Sequence, residues 1–336
     1  MKNRSSLVSD LLTELAAETG IKLLIEPEYG YAGRITTSDQ RIFYFHSTKF
    51  DINRLGASEI AEDKDYAAFF MRQLGFPVPE GNAFYSDEWC GKIKSPKNAQ
   101  AAVVYAEQLG FPVIVKPNSE SQGRGVEKVH SKEDLLIALS HVFNHLKDKV
   151  VLVQKVVVGN DYRIVVLADE VLCAYRRIPL SITGDGISTI HQLLEKKQSQ
   201  FVERGRDTVI NLNDPRIERQ LRHEKLSFST TLPANQTLQL LANANLSSGG
   251  EAEDVTSILH KDYKEMAIRL TREMGLTYSG IDIMTKYPIN DRLKDYTVIE
   301  INAAPGLDYY AEAGSRQRQI VKQLYQKLLL QMIRTH

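Results

Sequence analysis

The chain has 336 residues, 43% hydrophobic and 25% charged, with 42 basic and 42 acidic side chains that cancel. That content excludes a disordered or fibrous chain and suffices for two or three packed subdomains, while a balanced charge excludes a global field that would gather nucleic acid or an anionic membrane. Cys90 and Cys173 show no CxxC or Cys/His ligand spacing, so neither a disulfide framework nor a zinc site is indicated and a reducing compartment is expected. The first ten residues lack an apolar core and a small-residue cleavage site, and no stretch reaches the roughly 18 apolar residues that span a bilayer, so a soluble cytoplasmic protein is expected.

Residues 5 to 19 carry Leu and Ala at helical spacing, and 21 to 25 and 42 to 45 read as short strands, a small α/β region shorter than a dinucleotide-binding domain. From Glu59 to Leu74, Ala67, Phe70, Met71 and Leu74 recur at helical spacing until Gly75, Pro77 and Pro79 end the helix. Leu74-Gly75-Phe76-Pro77-Val78 and Leu109-Gly110-Phe111-Pro112-Val113 both close a helix with glycine and restart as a strand. Ser131 and Asp134 form a capping-box pattern for a helix to His145, followed by a β-rich run from 150 to 158 and a strand pair at 162 to 167 and 171 to 176. Asp214-Pro215 opens a basic helix to Lys225, another helix runs from Lys261 to Met274, and an amphipathic helix closes the chain at 316 to 333. The alternation argues α/β or α+β, with polar loops at 183 to 188 and 229 to 252 as candidate active-site loops.

Phe-Pro-Val-Ile-Val-Lys-Pro at 111 to 117 puts Lys116 at the end of an apolar strand, before a polar loop containing Ser121, Gly123 and Gly125. A lysine buried there needs an anion, either a phosphate cradled by the loop or a core carboxylate. Neither GxxxxGK[ST] nor a strand-following GxGxxG occurs, so nucleotide binding must follow another plan. Gln154, Lys155 and Val157 at the end of a valine run, then Gly159 and Asp161, suit a hinge whose backbone meets adenine and whose carboxylate meets ribose; a bland edge strand with a turn fits equally.

Val-Ile-Glu-Ile-Asn-Ala-Ala-Pro-Gly at 298 to 306 places Glu300 and Asn302 on one face of a strand, with Ile299 and Ile301 on the other. With Asp282 between Ile281 and Ile283, these oxygens suit magnesium bridging nucleotide phosphates, and the neutral Asn302 leaves net positive charge on two Mg²⁺ ions, with Mn²⁺ as a substitute. The alternative is a buried polar network. Arg163, Arg176 and Arg177 suit a carboxylate or the γ-phosphate, or face solvent. Asn245, Ser248, Gly249 and Gly250 form a turn whose amides and hydroxyls suit an anionic substrate. No histidine pairs with Ser or Cys as a nucleophile triad would require.

Eight of these segments, in order from 63 to 306, resemble the ATP-grasp superfamily: Asp63-Lys64 opening a helix that ends in Gly-Phe-Pro-Val-Pro-Glu-Gly, Phe-Pro-Val-Ile-Val-Lys-Pro, Gly-Asn-Asp-Tyr-Arg, Arg-Arg-Ile-Pro, Gly184-Asp185-Gly186, Asn-Leu-Ser-Ser-Gly-Gly, Gly280-Ile-Asp282 and Glu-Ile-Asn-Ala-Ala-Pro-Gly. Within it, the chain is similar to the ATP-grasp modules of cyanophycin synthetase and bifunctional glutathione synthetase. The resemblance implies an α+β fold of two α+β subdomains clamping ATP, after a short N-terminal α/β region: residues 1–95, then a lid at 96–160, then a catalytic subdomain at 161–336. It implies phosphate binding by Lys64 and Lys116, an adenine hinge at Gln154 to Val157, ribose contact by Asp161, magnesium on Asp282, Glu300 and Asn302, and is compatible with a homodimer. Three departures stand out: glutamine at 154 where glutamate is common, a short first region, and no attached Mur-ligase-like or glutamate-cysteine ligase module.

The function expected is an ATP-dependent carboxylate-amine ligase working through an acylphosphate, on amino acids or short peptides. Arg177 and the 184 to 186 loop are the candidates for holding the acylphosphate, and Ser248, Gly249 and Gly250 for the tetrahedral oxyanion. A regulatory ATP-binding module and a kinase-like transferase share the same site residues.

Overall fold

The computed structural model describes residues 6–204, 206, 208–312 and 314–335; Ser5 of the first predicted helix and the first five residues of the leader reading lie outside them. Helix α1 (Leu7–Thr19) precedes strands β1 (Lys22–Ile25), β2 (Ala32–Thr36), β3 (Ile42–His46) and β4 (Lys49–Phe50), which pair in sequence order. Ser6 caps α1 by accepting from the Ser9 amide, and Gly20, left-handed at φ 73°, ends it. On β3 the period of two buries Phe43 and Phe45 and exposes Ile42 and Tyr44.

The helix expected across 59 to 74 is two, α2 (Leu55–Glu62) and α3 (Lys64–Gln73). Asp63 makes the break: its extended backbone ends α2, and its carboxylate accepts from the Tyr66 amide to start α3. Lys64 therefore stands at a helix N-terminus rather than on a helix flank.

Next come β5 (Gly81–Tyr85), α4 (Asp87–Ile93), α5 (Ala99–Leu109), β6 (Val113–Pro117), β7 (Glu127–Val129), α6 (Lys132–Ser140) and β8 (Val150–Lys155). The strands form an antiparallel sheet in the order β5-β8-β6-β7. Val113, Val115, Val151 and Val153 pack under α5 and α6, so alternation sends Lys116, Leu152 and Gln154 to the other face. The sheet that carries Lys116 thus begins at residue 81, inside the stretch read from sequence as the N-terminal region.

The rest of the chain supplies β9 (Asn160–Leu167), β10 (Glu170–Ile178), β11 (Ser181–Thr183), α7 (Ile190–Glu203), α8 (Pro215–His223), β12 (Thr237–Gln239), β13 (Glu251–Asp254), α9 (Lys261–Glu273), β14 (Tyr278–Thr285), β15 (Tyr296–Asn302), α10 (Asp308–Ala311) and α11 (Ser315–Thr335). Its main sheet runs β13-β10-β9-β14-β15. One face packs on α9 and residues of α2 and α3 through Tyr162, Ile164, Ile281, Ile283 and Ile301. The other buries Val165, Leu167, Tyr175 and Tyr278 against α1, α10 and α11. A separate cluster built from Leu180, Ile190, Leu194, Leu221 and Leu241 holds β11, α7, α8 and β12 together. Among the described residues no helix is long and apolar enough to cross a membrane.

One side chain ties the N-terminal unit to the main sheet. Asn53 donates to the carbonyls of Tyr278 (2.7 Å) and Ala303 (2.8 Å) and accepts from the amides of Thr277 (2.8 Å) and Tyr278 (2.9 Å). An amide side chain is suited to this, offering donors and an acceptor on one planar group. Asn53→Ala strands four backbone groups and is expected to lower stability by about 2–3 kcal/mol in urea unfolding; an unchanged midpoint and slope would refute the tie.

Candidate active site

At one end of the main sheet, β9, β10, β14 and β15 each contribute charge to the same face. Register sets Asp282 beside both Arg163 and Glu300, Gly280 beside Asn302, and Arg177 beside Asp161. Asp282 is 1% exposed. The Arg163 guanidinium grips it, Nε on Oδ1 and Nη2 on Oδ2 at 2.8 Å, and Arg177 Nη2 reaches Oδ2 at 2.8 Å. Arg177 also binds Asp161 through Nε (2.9 Å) and Nη2 (2.8 Å), and Arg163 Nη2 lies 3.8 Å from Glu300 Oε1. Two guanidinia and three carboxylates thus interlock, the pairing that makes buried charge tolerable. Burial lifts Asp282 to about 6 against the pull of Arg163 and Arg177. Burial also acts to raise Glu300, but Lys64, Arg163, Lys116 and Arg177 outweigh it and hold that carboxyl at about 2.

A bulge aims this face. Asp282 pairs with Glu300, while Ile283 pairs with Val298, leaving Ile299 as the extra residue. The expectation that Ile299 shares a face with Ile301 is corrected accordingly: Val298 and Ile301 lie in the core, and Ile299 is only half-buried. Bulges of this kind re-aim side chains next to active sites.

Across from the acids stands Lys116, 6% exposed, with no hydrogen bond or ion pair among the described residues. Burial drags its pKa down to about 8, Glu300 and Asp282 pull it up, and Lys64 pushes it further down. Lys64 is committed differently, donating to the carbonyls of Asn118 (3.0 Å) and Glu120 (2.6 Å). It therefore holds the start of the loop after Lys116. Asn118 adds to that hold by donating to Asp63 at 2.8 Å and accepting from the Asp65 amide at 3.1 Å. Ser121 and Gly123 lie within this loop, where Gln122, Gly123 and Gly125 all take left-handed backbone. Gln154 is buried, its stem against Gly81, where any Cβ would meet Gln154 Cγ at 2.5 Å. Gln154 lines a cavity of about 520 Å³ with Asp65, Tyr66, Phe69, Phe70 and Asn82. Lys155 is exposed, its amide spent on the Glu80 carbonyl and its ammonium 3.8 Å from Glu80; Val157 follows β8 half-buried.

Two expectations need correction. Arg176 does not join Arg163 and Arg177: the period of two turns it to the opposite face, 40% exposed, bound to Asn160 (2.8 Å) and near Glu253 (3.6 Å). The amides of Ser248, Gly249 and Gly250 are not free for an oxyanion, because each donates to the carbonyl of Asn245 or Leu246 within the turn. Arg206 reinforces that turn by binding the carbonyls of Leu246 and Gly250. The Ser248 hydroxyl and the Asn245 side chain take no part in these turn-closing bonds.

Among the described residues no three His, Cys, Asp or Glu side chains form a metal-holding group; the candidate site has two carboxylates and an amide. Its chemistry still fits magnesium. A carboxylate has about four lone-pair sites, of which Asp282 uses three, and Glu300 accepts from Asn302 Nδ2 at 3.1 Å and keeps a second oxygen. An all-oxygen set of this type is what Mg²⁺ takes beside phosphates.

Two family models cover the strands that carry these residues. The model described as D-ala D-ala ligase C-terminus matches residues 70–193, and that of the RimK-like ATP-grasp domain matches residues 241–325. The glutathione biosynthesis bifunctional protein GshAB of Mannheimia succiniciproducens is 31% identical over 256 residues, 73% of this chain and 32% of that protein. Cyanophycin synthetase of Geminocystis herdmanii is 30% identical over 257 residues, 74% of this chain and 28% of that protein. The crystal structure of a bifunctional glutathione synthetase from Pasteurella multocida superposes with a TM-score of 0.59 and 25% identity, over 97% of this chain and 45% of that one. The chain thus spans about a third of the curated relatives it matches. These matches make this an ATP-grasp chain that resembles the corresponding modules of bifunctional glutathione synthetase and cyanophycin synthetase.

Proposed function

We propose that the chain is an ADP-forming carboxylate-amine ligase acting on amino acids or short peptides, with Mg-ATP as co-substrate. The observation that carries this reading is Lys116, a buried ammonium with no acceptor among the described residues, facing the Asp282 and Glu300 carboxylates. A cation so desolvated is poised for an anion, and carboxylates opposite it suit the metal that accompanies a polyphosphate. Asp282, Glu300 and Asn302 would hold magnesium, which supplies neutralising charge at the phosphates when bound.

In this mechanism Lys116 binds phosphate oxygens and lowers the charge that an approaching substrate carboxylate meets. The carboxylate oxygen forms a bond to the γ-phosphorus while the bond to ADP breaks. The amine nitrogen then attacks the acyl carbon, the carbon–oxygen bond to phosphate breaks, and the amine loses its proton to solvent or phosphate. Arg163 and Arg177, fixed by Asp282 and Asp161, keep positive charge beside the transferring group without moving. Lys64 orders the loop after Lys116 at its near end. The Ser248 hydroxyl and Asn245 are the proposed substrate contacts of the 245–250 turn. The Gln154 to Val157 segment is the proposed adenine contact. With Arg177 bound to Asp161, one carboxylate oxygen of Asp161 still has lone pairs for a ribose hydroxyl.

The protein incubated with Mg-ATP and pools of amino acids and dipeptides is expected to release ADP and phosphate and to form a product one water lighter than its two components. ATP bound but never turned over across such pools would replace the ligase with a binding module. Lys116→Ala is expected to abolish ADP formation while leaving the circular dichroism melt in place; retained turnover would remove Lys116 from the reaction.

Lys116 also sets a pH dependence. Its folded pKa is depressed to about 8, so the ammonium is present below that pH and lost above it. Affinity for a non-hydrolysable ATP analogue at saturating magnesium is expected to fall as pH rises past about 8, approaching tenfold per unit. Lys116→Met should be weaker below about pH 8 and lack this slope, the two proteins converging as pH rises further; equal slopes would refute the assignment.

A further inference from the structure

The loop after Lys116 is held at both ends by units distant in sequence. Lys64 takes its near end. Its far end is taken by Arg216, on the first turn of α8, whose Nη1 donates to the carbonyls of Gly123 (2.8 Å) and Val126 (3.3 Å). Asn243 Nδ2 donates to the same Gly123 carbonyl at 3.2 Å. Arg216 is itself locked: Asp214, the cap of α8, receives its Nε at 3.0 Å and its Nη2 at 2.6 Å, and Ile217 and Leu221 bury the helix in the cluster beneath. Two further contacts join the same surfaces, an ion pair of Arg219 with Glu127 and a stack of His223 on His130 with centroids 3.7 Å apart.

Gly123 is shaped for this approach. Its φ is +68°, and a Cβ there would stand 1.9 Å from Asn243 Nδ2 and 2.5 Å from Asn245 Nδ2. Glycine takes this left-handed backbone without strain and leaves room for the Asn243 and Asn245 amides to close on the loop. The same segment runs into the turn that carries Asn245 and Ser248.

We infer that Arg216 and Asn243 are positioning residues that clamp the loop after Lys116 from its far side, so that the order of residues 119–126 depends on α8. The clamp is built from hydrogen bonds to backbone carbonyls, so it works whatever side chains the loop carries. It rests on the proposed function only for its catalytic consequence: a loop held shut over the phosphates keeps water from the activated acyl group. Releasing it raises the KM for ATP and lets ADP form without amide.

Hydrogen exchange of the whole chain without nucleotide tests the clamp independently of any activity. Arg216→Ala and Asn243→Ala are each expected to speed exchange of the 119–126 amides about tenfold, since each removes a hydrogen bond from a locally opening segment. Arg222→Ala, exposed on the same helix, is expected to leave it unchanged. Unaltered exchange in Arg216→Ala and Asn243→Ala overturns the inference; should Arg216→Ala not fold, Asn243→Ala decides it. In turnover, both variants are expected to raise KM for ATP about tenfold and to release more ADP than amide, with Arg216→Lys, which keeps the charge, restoring part of the coupling. A fall in kcat alone, with KM and coupling intact, would overturn the positioning role. Absence of ATP turnover in the unmodified protein would count against the proposed ligase, and the exchange result would still decide the clamp.

Discussion

Asp282 is the constraint around which the catalytic sheet is organised. A carboxylate at 1% exposure costs several kcal/mol unless cations meet it, and here two guanidinia do, from neighbouring strands. Meeting that demand fixes the strand order, because Arg163 must lie directly beside Asp282 and Arg177 one strand further on. It also fixes Asp161, which takes the half of Arg177 that Asp282 leaves. The positive charge of the site is therefore immobilised by its own counterions before any substrate arrives. Such preorganisation is what electrostatic catalysis requires, since dipoles already aligned need no reorganisation during reaction.

Against this fixed network, Lys116 is the exception, a buried cation that Glu300 and Asp282 attract but that no described residue binds. Lys64 could share the same anion but spends two of its donors on loop carbonyls. The two lysines read from sequence as a matched pair therefore differ in kind: one awaits a charge, the other shapes the cradle. The position of Lys64 follows from Asp63, which starts α3 one residue before it and holds Asn118 with its other oxygen.

What was legible in the sequence was what the period of a strand controls. Lys116, Asp282, Glu300 and Asn302 stand on apolar strands, so alternation alone predicts which way each points. Arg176 against Arg177 was decidable by the same rule, since Tyr175 and Arg177 must share a face and Arg176 cannot join them. The bulge at Ile299 was not legible, because an extra residue in a ladder depends on the partner strand's register. Nor was the fate of the 248–250 amides: a Ser-Ser-Gly-Gly turn reads as a row of donors, yet closing the turn consumes them. Asn53 and Arg216 carried no local signal at all, being an asparagine after an apolar residue and one arginine among several in a basic helix. Their partners lie more than 200 and about 90 residues away in sequence, and only topology unites them.

The two kinds of contact divide the molecule's stability unequally. The network on Asp282 is sealed between packed strands, with apolar cores on both sides of the sheet, so it opens only when the sheet does. The loop after Lys116 is secured by a few hydrogen bonds from Lys64, Arg216 and Asn243 to its own carbonyls, all from partly exposed residues. Local opening free energy follows that difference, lowest where backbone is held by few polar contacts. The proposed ligase chemistry would need both: charges that do not move during phosphoryl transfer, and a cover that moves to admit a nucleotide. The chain assigns the first to strands and the second to a loop gripped from two sides, so admission and enclosure can be adjusted at Lys64 and Arg216 without disturbing Asp282.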